Sequence, residues 1–221
     1  MREFFLENGF LLVIAIALAE TVLAVLLWKM YKEGKKIDVL CLALLCSGLV
    51  YDACIIAIGK FLPQGSVAVL ISKVRYILSG LMIPLLLPIG AHALKLEGFK
   101  MKTVWVISII LMIPGAIGGC IEQLEVEEIA GLVRYASTSA TPKWVSVVNL
   151  IVMIGTVIAL IAIGGIACAK QKNPYVLLAG LFMFGFSALG GMPGNTDLMF
   201  LLSMFGELLM VTFLWLHLKN E

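Results

Sequence analysis

Charge is scarce in this 221-residue chain: Asp, Glu, Lys and Arg make up 14% of it, the apolar set 62%, and the mean hydropathy is +1.08. No soluble domain of this size stays in solution with so little polar surface, so the chain belongs to the membrane class. A net charge of only +2 points away from nucleic acid as a partner and leaves the basic residues to orient the chain. Two histidines are too few for a His-rich zinc hydrolase, and neither a metal nor a cofactor is expected. CxxC pairs are absent. Cys41, Cys46 and Cys54 fall in one apolar segment, and Cys120 and Cys168 lie near the ends of two others, where they read as small apolar packing residues. No GxSxG, HExxH, P-loop or GxGxxG stands in a credible context. Internal repeats, low-complexity tracts and lipidation signals are also missing.

What the sequence has in abundance is long apolar runs, at about 9–29, 38–60, 68–94, 103–120, 144–169, 174–192 and 197–218. Each is near the roughly 20 residues that span a bilayer as a helix. The expected fold is therefore all-α: one integral membrane bundle of seven transmembrane helices, forming a single domain over 1–221. Phe10 to Trp28 is too long for the apolar core of a cleaved signal and is read as a retained first helix. KMYKEGKK, LPQG, KLEGFKMK, KQKNP and GGMPGN punctuate the runs as turns. Pro84 and Pro88 fall inside the third run, which should kink there and free some carbonyls. Gly115 with Gly119, and Ser187 with Gly191, are small-residue pairs spaced for close helix contact, within the bundle or between protomers of a homo-oligomer.

Counting basic residues at alternate connections gives Lys29, Lys32, Lys35, Lys36, Lys95, Lys100, Lys102, Lys170, Lys172 and Lys219 on one side. Arg2, Lys60, Lys73, Arg134 and Lys143 stand on the other, ten against five. The positive-inside rule then puts the amino terminus outside and the carboxyl terminus in the cytoplasm; the expected location is a bacterial or archaeal cytoplasmic membrane. The longest connection, IEQLEVEEIAGLVRYASTSATPKW, would be external, a solvated acidic loop opening with Glu122, Glu125, Glu127 and Glu128. A cation-attracting vestibule is the sharper reading of the same residues.

A charge in the bilayer centre costs at least about 2.5 kcal/mol, so an ionisable residue deep in a span is a functional candidate. Four qualify: Glu20, Asp52, Arg75 and Glu207. At about 1.5 Å per residue, Asp52 and Arg75 sit roughly 10–12 Å below the outer surface, with Glu20 and Glu207 slightly deeper. Small and polar neighbours at helical spacing turn these faces inward: Ala17, Glu20 and Ala24; Gly48, Asp52 and Gly59; Ser72, Arg75 and Ser79; Ser203 and Glu207. An Asp52–Arg75 bridge alone would be a packing device. Three acids against one base predict a proton-sensitive or ligand-receiving site. Tyr51, Tyr76 and Asn149 lie at a depth to line the same pocket. Lys60, Lys73, His92 and His217 stand near span ends, where a long side chain or a ring reaches headgroups.

The stretch VYDACIIAIGKFLPQGSVAVLISKVRYILSGLMIPLLL resembles the microbial rhodopsins. That family carries in its third helix an Arg followed by an aromatic, with a Pro nine positions after the Arg and then leucines. Arg75, Tyr76, Pro84 and Leu85-Leu86-Leu87 match at that spacing, and Tyr51 stands where the second helix of the family often has a Tyr. The departures are Leu78 for the acidic counterion, Ser79 for the Trp after it, and Met82-Ile83 for the Thr pair. The seventh run, DLMFLLSMFGELLMVTFLWLHL, has no Lys to form a retinal Schiff base, and Glu207 lies near the position it would occupy. The resemblance implies a bundle with a cavity near Arg75 and no chromophore attachment.

The expected function is thus that of a non-enzymatic, non-photoactive membrane protein. It would bind a small molecule or ion in an outer-facing cavity lined by Glu20, Asp52, Arg75 and Glu207, as a sensor or transporter among membrane lipid, with Arg75 receiving an anion or holding Asp52 and Glu20 and Glu207 taking a cation or a proton. An intramembrane lipid-modifying enzyme, with Asp52 or Glu207 as general acid or base, is the competing class. A structural or assembly partner in the membrane is the third.

Overall fold

Hydrocarbon offers no partner to a backbone N–H or C=O, so the apolar runs close their hydrogen bonds internally as helices. The computed structural model of the chain describes residues 8–62, 65–189 and 196–220. Its helices are α1 (Gly9–Gly34), α2 (Ile37–Ile58), α3 (Ser66–Met82), α4 (Leu86–Ala93), α5 (Gly98–Ile121), α6 (Lys143–Leu150), α7 (Thr156–Gln171), α8 (Tyr175–Leu189) and α9 (Thr196–Lys219). A 3-10 turn, Ile83–Leu85, joins α3 to α4, and a π-helical turn, Ile151–Gly155, joins α6 to α7, so each pair forms one interrupted rod. Among the described residues, six rods are long and apolar enough to cross a membrane. The remaining run folds as α8, a shorter apolar helix of 15 residues. The GGMPGN turn after it, with Gly191, and also Arg2, lie outside the described residues.

The rods pack in a ring. α1 lies on α2, α3 on α5, α7 on α8, α8 on α9, and α9 back on α1, while α4 fills the middle against α2 and α7. Outward faces stay apolar: Leu18, Val22, Val25, Ile110, Ile113, Ile117, Ile151 and Ile158 are all exposed. So continuous an apolar surface suits a lipid solvent and no aqueous one.

The interruption in the third rod follows from its prolines. Pro88 has no N–H to give the carbonyl of Pro84, and the Ser108 hydroxyl of α5 donates to that carbonyl instead, at 2.8 Å in a buried position. Glycines bring the same two rods into backbone contact. A Cβ on Gly80 would land on the backbone of Gly115, and one on Gly119 would lie 2.6 Å from the backbone of Tyr76 and Ile77. The Gly115/Gly119 pair therefore serves a contact inside the bundle.

Two apolar cores result. One gathers Leu27, Leu42, Leu86, Leu160 and Leu214 towards the lysine-rich end; the other gathers Val13, Ile16, Ile56, Leu132 and Leu201 towards the opposite end. Glu20 falls between Ala17 of the second core and Leu23 of the first, and Glu207 falls likewise between Met204 and Met210. A polar belt thus separates the cores.

The all-α membrane bundle expected from the sequence carries one addition: the long connection folds as a β-hairpin, with Glu125, Glu127 and Glu128 exposed as a solvated connection would have them. Strands β1 (Leu124–Ile129) and β2 (Leu132–Ser137) pair antiparallel, with Ile129 opposite Leu132 and Glu127 opposite Arg134. The two-residue turn places Ala130 at φ 51° and Gly131 at φ 71°, the positive angles that suit the twist of a tight hairpin. The hairpin sits on the bundle. The backbone N–H of Ala130 donates to Asp197 Oδ1 at 2.9 Å, a Cβ on Gly9 would strike the Ala130 carbonyl, and one on Gly59 would strike that of Val133. Ile129, Leu132 and Tyr135 are buried beneath it. Two further residues lie deeper than expected: Glu122 is 5% exposed, and His217, placed at the headgroups by its position in the run, is buried with Nδ1 3.0 Å from Asn173 Nδ2.

Candidate functional site

The polar belt opens into a cavity of about 210 Å³ beneath the hairpin. Its walls come from four rods and the hairpin: Asp52 from α2; Arg75, Tyr76, Ser79 and Gly80 from α3; Asn149 from α6; Ser203 and Glu207 from α9; Arg134 from β2. Ser79 shares the Arg75 face of its helix, as Ser203 shares that of Glu207, because residues three or four apart stack on one side.

Arg75 Nε donates to Asp52 Oδ1 at 2.5 Å. Both side chains are largely buried, so their mutual neutralisation is what makes the burial tolerable. A guanidinium has five N–H donors. Arg75 Nη1 is buried with no hydrogen-bond partner among the described residues, and the guanidinium carbon lies 5.8 Å from the centroid of the Tyr76 ring. Arg134 is matched by Glu127, whose Oε2 lies 2.9 Å from Nη2, and its guanidinium stacks 4.5 Å from the centroid of Phe200. Glu207 lines the cavity with no hydrogen bond or ion pair among the described residues, though it lies in the electrostatic field of Asp52, Glu20 and Arg75. The cavity thus offers one carboxyl, that of Glu207, without an ion pair among the described residues.

Glu20 stands apart. It is 1% exposed, its Oε2 has no hydrogen-bond partner among the described residues, and it reaches the site through its field on Glu207 rather than by lining the cavity. Tyr51 does not line it either, because its hydroxyl donates to the carbonyl of Ile71 at 2.9 Å and ties α2 to α3. Tyr76 does, and its hydroxyl donates to the Tyr135 carbonyl at 3.2 Å, fixing the hairpin over the cavity. Asn149 lines it too, and its amide donates to Glu122 Oε1 at 3.4 Å. Burial raises the Glu122 carboxyl above the usual carboxylate range, while hydrogen bonds from Ser137 and Asn149 pull the other way.

Above the cavity an open groove of about 510 Å³ runs along the hairpin, bordered by Glu125, Glu127, Ser137 and Thr138, and sharing Tyr76 and Arg134 with the cavity below. Arg134 therefore stands at the boundary between groove and cavity. The sequence identified it only as a charge near a span end, since its role depends on a hairpin whose signal is six residues of acidic, weakly alternating strand. Below, a narrow slot of about 60 Å³ shares Asp52, Ser79, Met153 and Glu207 with the cavity and runs on to Met183 and Met210. Among the described residues no three His, Cys, Asp or Glu side chains come together as metal ligands. No protein-family model matches this chain, and no curated protein matches it either.

Proposed function

We propose that this protein is a seven-helix, rhodopsin-like membrane protein without a chromophore, in which the cavity between Arg75 and Glu207 binds an organic ligand. The shorter apolar helix α8 is taken as the seventh span. The ten-to-five distribution of basic residues supports an outside amino terminus and a cytoplasmic carboxyl terminus, so the hairpin and its acidic groove face outward. Glu207 takes the place in the seventh span where the rhodopsins hold their Lys.

The observation that carries this reading is the carboxyl of Glu207, which lines the cavity beside the Asp52–Arg75 pair with no hydrogen bond or ion pair of its own among the described residues. A buried carboxyl without a partner is costly, and a ligand that donates a hydrogen bond or a positive charge to it offsets that cost on binding. The buried hydrophobic core towards the lysine-rich end favours a sensor over a conduit, because the cavities around Glu207 end against it. An intramembrane lipid-modifying enzyme is less well supported. No histidine borders the cavity, and the Ser203 hydroxyl donates to the Phe200 carbonyl at 2.8 Å rather than to a base.

Thermal unfolding of the purified protein with a panel of amino acids, betaines, short alkylamines and short carboxylates tests the reading. At least one compound should raise the midpoint of wild type and fail to raise that of Glu207→Gln or Arg75→Gln. Equal stabilisation of all three proteins by every active compound would refute it.

A further inference from the structure

A second cavity, of about 270 Å³, lies between the α6–α7 rod and α8, bordered by Asn149, Leu150, Met153, Ile154, Met183 and Phe184. Its walls are almost wholly apolar, and Leu150, Ile154 and Phe184 are exposed on the outward face of the bundle, where a bilayer would lie. From Asn149 to Val157 it follows its rod for about 12 Å at 1.5 Å per residue. It does not stop at the helix surface. Asn149 and Met153 border both this cleft and the polar cavity, while Met153, Val157 and Met183 border both the cleft and the narrow slot beside Glu207.

Met153 is thus common to all three spaces, and it sits in the π-helical turn Ile151–Gly155. An extra residue in one turn shifts the register of the side chains that follow, and such turns recur at functional sites. Here the turn places an unbranched, adaptable side chain at the junction of a charged cavity and an apolar cleft. A small polar ligand has no use for the cleft, and a lipid held only on the outside of the bundle has none for Glu207.

Resting on the reading of the Arg75–Glu207 cavity as a ligand site, we infer that the ligand is a single-chain amphiphile with a cationic amine head. It is drawn laterally from the bilayer, with the head at Glu207 and the alkyl chain along Met153 in the cleft between the α6–α7 rod and α8. Charge decides the head. Asp52 is matched by Arg75 and Glu127 by Arg134, which leaves Glu207 as the lining carboxyl without an ion pair among the described residues, a partner that a basic amine supplies. Continuity of the apolar walls from Met183 to Leu150 decides the chain. The three spaces together fall in the range of about 300–1,000 Å³ usual for ligand sites.

The test uses the full chain in nanodiscs and dodecylamine carrying a mid-chain diazirine. Photolysis should label Leu150, Ile154, Met183 or Phe184, and excess unlabelled dodecylamine should suppress the label where dodecanoate does not. Glu207→Gln should weaken labelling tenfold or more, and Met153→Trp, which fills the junction, should do the same. Wild-type labelling maps the site without relying on any variant's folding. Butylamine separates the two readings. If it stabilises wild type through Glu207 while dodecylamine binds no better and leaves the cleft unlabelled, the polar cavity stands and the lateral chain site is wrong. If neither amine responds to Glu207→Gln, the amine site is wrong, while the cavity reading is decided separately by the amino acids, betaines and carboxylates of the wider panel. Competition by dodecanoate as strong as by dodecylamine would overturn the assignment of the head.

Discussion

Arg75 Nε lies 2.5 Å from Asp52 Oδ1, joining the second and third rods through charges that no other described ion pair satisfies. Removing one partner of such a buried pair exposes the other to the full cost of desolvation, about 3–5 kcal/mol, whereas removing both costs far less than the sum. Asp52→Asn should therefore lower the unfolding midpoint sharply, and adding Arg75→Gln should restore part of it. A double-mutant cycle in detergent measures this, and additive losses would show that the pair is not energetically coupled.

The glycines of the third and fifth rods should be far less replaceable than glycines elsewhere. Gly80→Ala and Gly115→Ala drive a methyl into facing backbone, which cannot step aside as a side chain does, and should cost about 1–3 kcal/mol each. Gly165→Ala has nothing within 4 Å of the new Cβ and should gain up to about 1 kcal/mol from helix propensity. Thermal melts of the three variants side by side decide it.

Glu122 gives a pH dependence of known sign. Its folded carboxyl lies above its ordinary value of 4.5, so folding favours the protonated form. The stability it contributes is fully present below the unfolded value and is lost as pH rises through the folded one. Wild type should therefore lose stability relative to Glu122→Gln as pH climbs from the ordinary carboxyl value through the raised folded one, with the gap levelling off above it. The difference between the two melting curves at each pH isolates this residue from the other carboxyls, and a gap that widens on acidification would reverse the assignment.

The hairpin should loosen without the bundle when its anchor is cut. Asp197 accepts the Ala130 backbone N–H, and Asp197→Ala leaves that buried donor unpaired at a cost of about 1–3 kcal/mol. Amide hydrogen exchange should accelerate across 124–137 and stay unchanged in α7. Acceleration spread over the whole chain would mean that the contact supports the bundle instead.

Much of the arrangement is legible along the chain because hydrocarbon leaves a segment few choices. Apolar runs become helices, Pro84 and Pro88 break one of them, and acids spaced with small residues face inward. That logic located Asp52, Arg75, Tyr76, Asn149 and Glu207, which border one cavity, and Glu20, which is buried beside it. It placed Tyr51 there as well, since depth alone does not reveal which carbonyl a hydroxyl will find. The hairpin escaped it because its pattern is short and its outer residues acidic, so that it resembled a solvated loop until Ile129, Leu132 and Tyr135 were seen to be buried on the bundle.

The sequence by itself determined that this is a helical membrane chain and which of its residues are too polar to face lipid, because transfer free energies act on each segment independently. Only the tertiary structure decided that Arg75 pairs with Asp52 and leaves Glu207 without an ion pair among the described residues, that Arg134 stands over the cavity, and that a π-helical turn brings Met153 to the junction of its polar and apolar spaces. Those outcomes depend on which helices become neighbours and in what register, and that is set by backbone contacts such as Gly80 against Gly115, which no single segment encodes.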